Sequence, residues 1–307
     1  MSDDHTTTRA ALTAVFVTIL WASSWVLIRV GLETVELDPL GFAGMRYGLA
    51  AAVLWLAVAR RKRPTGLGTL GRSRLVELVG LGVVFYALTQ GSQFVAIANQ
   101  PAATTSLVLS FTPLLTAIVA VFVLGERLRP VQAVGMLAVA GGAVLYFSGS
   151  LGATAVGMAA SLICLVANTG ASVMGRRVNR RPDSDPLIVT AVSMSVGAAL
   201  LVAVAAIFEG LTFPSLQGAL IIAWLAVVNT AWAFVLWNRS LVHLPAATSA
   251  VINNLMLVEI ALLAWMFLDE RPSVGQVVAI GVVTVGVVVG SGALTAQRRV
   301  RTPSPRR

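Results

Sequence analysis

Short polar breaks cut this sequence into apolar runs, each about as long as a bilayer is thick. A hydrocarbon core of roughly 30 Å takes about 20 residues of helix at about 1.5 Å each. Inside lipid the backbone must satisfy its own N–H and C=O groups, so runs of this kind read as spanning helices. They centre on residues 10–31, 40–59, 76–98, 102–124, 131–148, 153–174, 187–208, 217–238, 246–268 and 273–293. Ten spans with short connections use almost all of the 307 residues. Composition agrees: 11% of residues are charged, against about 25% in soluble domains, and mean hydropathy is +0.86.

The second half of the chain repeats the first. From Pro101 the sequence runs PAATTSLVLS and then AIVAVFVLGERLRPVQ; from Pro245 it runs PAATSAVINN and then ALLAWMFLDERPSVGQ. One offset of 144 residues carries Pro101 onto Pro245, Thr104 onto Thr248, Leu124 onto Leu268, Glu126 onto Glu270, Arg127 onto Arg271, Gln132 onto Gln276 and Gly142 onto Gly286. Unrelated apolar helices share composition, but they rarely share proline and polar punctuation in register, so an internal duplication is the better explanation. With five spans to each half the copies are related by inversion, an arrangement that points towards transport. The repeats are expected over 10–149 and 153–293, joined by the small-residue seam Ser148 to Thr154 and followed by a basic tail over 294–307. The expected fold is therefore all-α and polytopic, with ten transmembrane helices as two inverted five-helix repeats.

Charge sets the expected orientation. The formal net charge of +9 could suit nucleic acid, but the basic residues lie between apolar spans rather than along one soluble face. With the N-terminus inside, the connections after even-numbered spans and both termini hold 19 of the 22 Lys and Arg residues, including Arg9, Arg72, Arg74, Arg239 and the tail arginines Arg298 to Arg307. That is the positive-inside bias of a membrane protein with both termini cytoplasmic. The N-terminal sequence lacks the basic segment and cleavage site of a secretory signal, so it reads as a retained first helix. The tail is suited to lying against anionic lipid. Cys164 is the single cysteine, so no intramolecular disulfide can form.

The stretch WASSWVLIRVG in the first span, FAGMRY in the second, and the turns LGER and LDER after spans four and nine resemble the EamA-type transporters of the drug/metabolite transporter superfamily. The resemblance covers nearly the whole chain. It implies a ten-helix inverted-repeat carrier of the bacterial inner membrane, exporting small metabolites, amino acids or toxic compounds. It also implies that spans one to four and six to nine enclose a central cavity, with five and ten outside. Two positions depart from the pattern: Asp269 replaces the glycine of LGER, and Leu257 stands where the first repeat has Pro113.

Polar residues inside the spans are the candidates for function, because a charge at that depth costs several kcal/mol unless it is paired, protonated or facing water. Glu259 in span nine lies roughly 14 Å from the outer end by helical rise, and its repeat counterpart is the apolar Leu115. It reads as a proton-coupling carboxylate or as a static packing contact. Arg46 in span two, about 10 Å inside the same boundary, is its candidate partner. The two could form an interhelical pair or separately engage a zwitterionic substrate; Arg46 could also snorkel outward. Trp21 and Trp25 share a helix face with Ser24 beside them, and Asn229 and Trp232 in span eight are three apart; such faces can line an amphipathic pocket. Gln90, Gln93, Asn168 and Asn253 each need partners and divide between interhelical bonds and substrate contacts. Glu126, Arg127, Glu270 and Arg271 form the repeated turn motif, where a carboxylate complements the N-terminus of the following helix. Small residues four apart in spans five and ten, Ala138 with Gly142 and Gly286 with Gly290, suit close helix packing or a homodimer contact.

No HExxH, CxxC or P-loop signature occurs, and two histidines, His5 and His243, are too few for a metal site. The sequence thus predicts no enzyme, no cofactor and no metal. It predicts a secondary transporter for a small-molecule substrate, working by alternating access and drawing on protons or a substrate gradient. An uncoupled facilitator, an importer of the same fold, and a polytopic receptor or membrane enzyme remain as alternatives.

Overall fold

A computed structural model describes residues 2–33, 36–61, 71–112, 114–116, 118–119, 130–147, 152–179, 184–210, 212–241, 246–269 and 271–290. These residues are helical throughout apart from short connections, with no strand among them. In chain order the helices are α1 (Ser2–Glu33), α2 (Pro39–Ala59), α3 (Arg72–Leu81), α4 (Gly91–Asn99), α5 (Ala102–Leu109), α6 (Pro130–Phe147), α7 (Ala155–Asn179), α8 (Pro186–Phe208), α9 (Leu216–Ala226), α10 (Ala233–Leu241), α11 (Ala246–Leu268) and α12 (Val274–Gly290). A π-helical stretch, Gly82–Gln90, joins α3 to α4, and a second, Val227–Trp232, joins α9 to α10. Among the described residues five segments are long and apolar enough to cross a membrane: Thr8–Glu33, Pro39–Ala59, Arg72–Asn99, Ala155–Gly175 and Pro186–Phe208. Shorter apolar helices occupy the other expected spans among the described residues. Large apolar side chains such as Leu137, Val166 and Ile207 are exposed, as a surface solvated by lipid requires.

Local sequence explains where helices begin and end. Asp38–Pro39 and Asp185–Pro186 open α2 and α8, with proline in the first turn where its missing N–H costs nothing. The Asp185 carboxylate accepts from Leu187 N at 2.9 Å. Ser215 caps α9 by accepting from Gly218 N at 3.2 Å. At the start of α12, Ser273 N donates to Gln276 Oε1 and Gln276 N to Ser273 Oγ, at 2.9 and 3.3 Å, which forms a capping box. α5 stops at Leu109, four residues before Pro113, whose ring nitrogen has no hydrogen to give that carbonyl. α11 carries Leu257 at the equivalent place and runs unbroken for 23 residues. The Asp-for-Gly departure at residue 269 also has a conformational setting. Asp269 has φ +52°, a left-handed geometry that glycine meets freely and aspartate tolerates better than most residues.

The described residues form two compact units, each drawing on both sequence halves. One takes its residues from 1–22, 106–151 and 236–307; the other from 23–105 and 152–235. In the first, Leu107, Leu114 and Val139 pack with Ala261, Ala279, Ile280 and Val283. Here α6 and α12 meet through their glycines. A Cβ added at Gly142 would lie 2.7 Å from Val283 Cγ2 and 3.1 Å from Ala279 O; one added at Gly286 would lie 2.8 Å from Val139 N and 2.9 Å from Gly135 O. Moving forward along one helix thus moves backward along the other, so the pair is antiparallel. The small-residue faces of spans five and ten pack against each other within the chain, and Ala138 belongs to that contact.

In the second unit α2 and α8 are tied at both ends. Glu209, just past α8, accepts from Leu40 N and Gly41 N at the start of α2, at 2.9 to 3.1 Å. This places a carboxylate at the positive end of the helix dipole. Arg61, just past α2, pairs with Asp185 at the start of α8 at 2.7 Å. This pair is antiparallel as well, and its members are the second helices of the two sequence halves.

Candidate functional site

The polar residues singled out from the sequence divide between the two units. In the first, Glu259 stands on α11, half-buried. Its Oε1 accepts from Thr18 Oγ1 of α1 at 3.1 Å, and its Oε2, out of solvent contact, has no hydrogen-bond partner among the described residues. Thr18 is fully buried, and its hydroxyl also lies 2.7 Å from Val15 O. Trp21 packs its ring on Trp237 at a centroid distance of 5.1 Å, so Trp237 lies against α1. Beside them Ala10, Ala14 and Ile252 close the local core.

In the second unit Arg46 is 5% exposed and turns inward, so it does not snorkel. Its Nε donates to Thr230 Oγ1 at 3.1 Å and its Nη2 to Ser24 Oγ at 3.5 Å. The guanidinium carbon lies 5.2 Å from the Tyr47 ring centre and 5.9 Å from that of Phe94, within range of cation–π attraction. Tyr47 OH in turn donates to Gln90 Oε1 at 2.6 Å. Asn229 Nδ2 donates to Ser23 Oγ at 3.0 Å. Trp25 is buried close to these groups in sequence, while Gln93 on α4 and Asn168 on α7 are half-buried.

The π turns shape this cluster. Opening a turn to i→i+5 bonding strands carbonyls that nearby hydroxyls can take up. Thr89 Oγ1 donates to Val84 O at 2.8 Å, and Thr230 Oγ1 to Leu225 O at 2.9 Å, each five residues back. With its proton committed to Leu225, Thr230 can only accept from Arg46. The same turn separates two residues expected on one face: Asn229 is fully buried, whereas Trp232 is 47% exposed, because three residues of π turn sweep a different arc from three of α-helix. Both π turns fall on the repeat offset of 144, with Val83–Val84 of the first matching Val227–Val228 of the second.

Several expected residues contribute no side-chain geometry. Glu126, Arg127 and Glu270 lie outside the described residues, as do Pro113, the tail and much of the seam, and the side chain of Asn253 is likewise outside them. Arg271 is exposed and pairs with Asp269 at 2.9 Å. Thr18, Thr230 and Tyr47 were not marked by the sequence reading; Tyr47 adjoins Arg46 and Thr230 adjoins Asn229, so adjacency was the available signal. An open groove of about 620 Å³ between α2 and α8, lined by Gly48, Ala51, Trp55, Ser195 and Val202, holds none of the expected polar residues. Trp55 Nε1 donates to Ser195 Oγ there at 2.9 Å.

Apolar helices of spanning length, with polar side chains bonded to one another between them, make this an integral membrane protein. The chain belongs to the EamA-like transporter family, whose pattern matches it twice, over residues 8–148 and 155–291. Similar proteins include the uncharacterized transporter YoaV of Bacillus subtilis (strain 168), 23% identical over 92% of this chain and 97% of that one. An uncharacterized transporter of Archaeoglobus fulgidus is 26% identical over 88% and 92%, and the uncharacterized transporter YyaM of Bacillus subtilis is 25% identical over 87% of each. A solved crystal structure shares the fold with a TM-score of 0.64 and 24% identity, covering 96% of this chain and 99% of its own. The protein is thus a membrane transporter and not an enzyme, and its substrate is a small molecule.

Proposed function

We propose that the chain is a secondary active exporter of small metabolites, amino acids or related amphipathic compounds, or drugs, built as ten spans in two inverted five-helix repeats. Alternating access would exchange the two faces of a central cavity lined from both halves. The observation that carries this reading is the pair of antiparallel contacts between repeat-equivalent helices: α2 with α8, tied end to end through Glu209 and Arg61, and α6 with α12, locked through Gly142 and Gly286. Helices that hold the same place in the two sequence halves and run in opposite directions are what an inverted duplication produces. The double match of the family pattern supports the same division, and the arginine distribution supports cytoplasmic termini in a bacterial inner membrane.

Within this reading Glu259 is the coupling group. It is half-buried, among the described residues it has one hydroxyl partner and one unbonded oxygen, and a carboxylate can trade its charge for a proton. Comparison of external metabolites between cells with and without the protein identifies a cargo. Proteoliposomes then test coupling, with the wild type driving that cargo when a pH gradient is imposed. Glu259→Gln is expected to lose the response to the gradient while still exchanging cargo down its own gradient. Full pH-driven transport by Glu259→Gln would remove proton coupling through this residue.

A further inference from the structure

Arg46 and Arg74 are equally removed from solvent, at 5% and 6% exposure, but only one of them is paid in kind. Arg74 bonds the Glu77 carboxylate at 3.4 Å, Val178 O at 3.1 Å and Ser184 Oγ at 3.0 Å. Arg46 has two neutral hydroxyls and two aromatic faces. Other carboxylates of the same unit are engaged elsewhere: Glu33 with Arg29, Asp185 with Arg61, and Glu209 with the backbone of α2. Among the described residues of this unit no carboxylate lies within ion-pair distance of Arg46, and the side-chain hydrogen bonds it gives them run from Nε and Nη2. A guanidinium stays charged at any ordinary pH. Burying it without a counter-ion is costly, and aromatic faces and hydroxyls return only part of that cost.

We propose that Arg46, with Ser24 and Thr230, forms the binding site for one carboxylate group of a small organic acid. Thr230, its proton given to Leu225 O, fixes the guanidinium through Nε and leaves the Nη1 and Nη2 edge for a ligand. That edge presents parallel N–H groups matched to the two oxygens of a planar carboxylate. Charge decides the class. One fixed cation among Phe94, Tyr47 and neutral hydroxyls balances one negative charge, whereas a phosphate dianion would leave one uncompensated in apolar surroundings. The proposal adds a substrate class to the transporter reading, but the binding step stands without it.

The test is equilibrium binding to the intact protein in detergent micelles, with no membrane gradient. Acetate, butyrate and phenylacetate are titrated beside their amides and beside phenyl phosphate, with thermal midpoint and tryptophan fluorescence as readouts. At least one carboxylate is expected to bind saturably, about tenfold or more tighter than its amide and tighter than the phosphate. Arg46→Gln is expected to erase the preference for acid over amide, and Arg46→Lys, which keeps the charge and guards against misfolding, to retain part of it. Equal binding of acid and amide, tighter phosphate binding, unchanged preference in Arg46→Gln, or no binding by any of the three acids would overturn the site. The two readings fail separately. An acid bound through Arg46 but never moved in proteoliposomes sinks transport and leaves the site. Transport of an uncharged cargo that is indifferent to Arg46→Gln does the reverse.

Discussion

The two compact units handle buried charge in opposite ways. One holds a carboxylate, Glu259, with a single hydroxyl donor and an oxygen that nothing described bonds. The other holds a guanidinium, Arg46, wrapped by two hydroxyls and two rings. Each is an ion without a described counter-ion in its own unit, yet chemically they are not mirror images. A carboxylate can discharge itself by taking a proton, and a guanidinium cannot. Glu259 therefore suits a group whose charge changes during a cycle, and Arg46 suits one whose charge must always be met from outside. In the sequence repeat the first is an addition to one copy, since Leu115 stands at the equivalent position.

The largest effect that could break this contrast is one of stability. Arg74→Met removes the hydrogen bonds that a buried cation gives to Glu77, Val178 O and Ser184 Oγ and should destabilise the protein by about 2 to 3 kcal/mol, the scale for bonds to a charged group. Arg46→Met removes a charge that has no pair and should leave stability unchanged or raise it. Thermal unfolding of both variants in the same detergent decides the matter. Equal losses would mean that Arg46 is a structural residue like Arg74, and the distinction between the two would collapse.

Next in size is Glu259→Leu, which restores the residue of the first repeat. Removing a half-buried carboxylate with an unbonded oxygen should stabilise the protein by about 1 to 2 kcal/mol, while the response of transport to a pH gradient disappears. Lower stability in this variant would mean that Glu259 serves packing and that the asymmetry between the repeats is architectural.

Much of the architecture was legible because its causes are local and periodic. The Asp-Pro helix starts and the offset of 144 are properties of short stretches, and the described helices lie within the apolar runs, five of them at spanning length. Arg46 and Glu259 were legible for the same reason, as ions in apolar runs. Their surroundings were not, because a partner such as Thr230 for Arg46, 184 residues away, leaves no trace in the spacing around either residue. The face shared by Asn229 and Trp232 was misread for a different reason. Counting by three assumes an α-helical turn, and Val227–Trp232 is π-helical, so the amide is buried while the ring is exposed. The units themselves interleave segments from both halves, an arrangement set by packing between distant helices and not by any boundary in the chain.

The smallest and sharpest effect lies at Thr18. Its hydroxyl has one proton and two neighbours, Val15 O at 2.7 Å and Glu259 Oε1 at 3.1 Å. When Glu259 is ionised, that proton is drawn to the carboxylate; when Glu259 carries a proton of its own, it can donate to Thr18, and the hydroxyl turns to Val15. The hydroxyl thus supports both charge states with the same atoms. Thr18→Val keeps the shape and removes the rotor, so the two states lose unequal support. A hydrogen bond to a charged group is stronger than one between neutral groups, so losing both displaces the midpoint of the transport profile and leaves the maximal rate in place. Thr18→Ser should restore the wild-type midpoint. If instead Thr18→Val lowers the rate equally at every pH, the hydroxyl only packs α1 against α11, and Glu259 loses its one described link to a proton-dependent step.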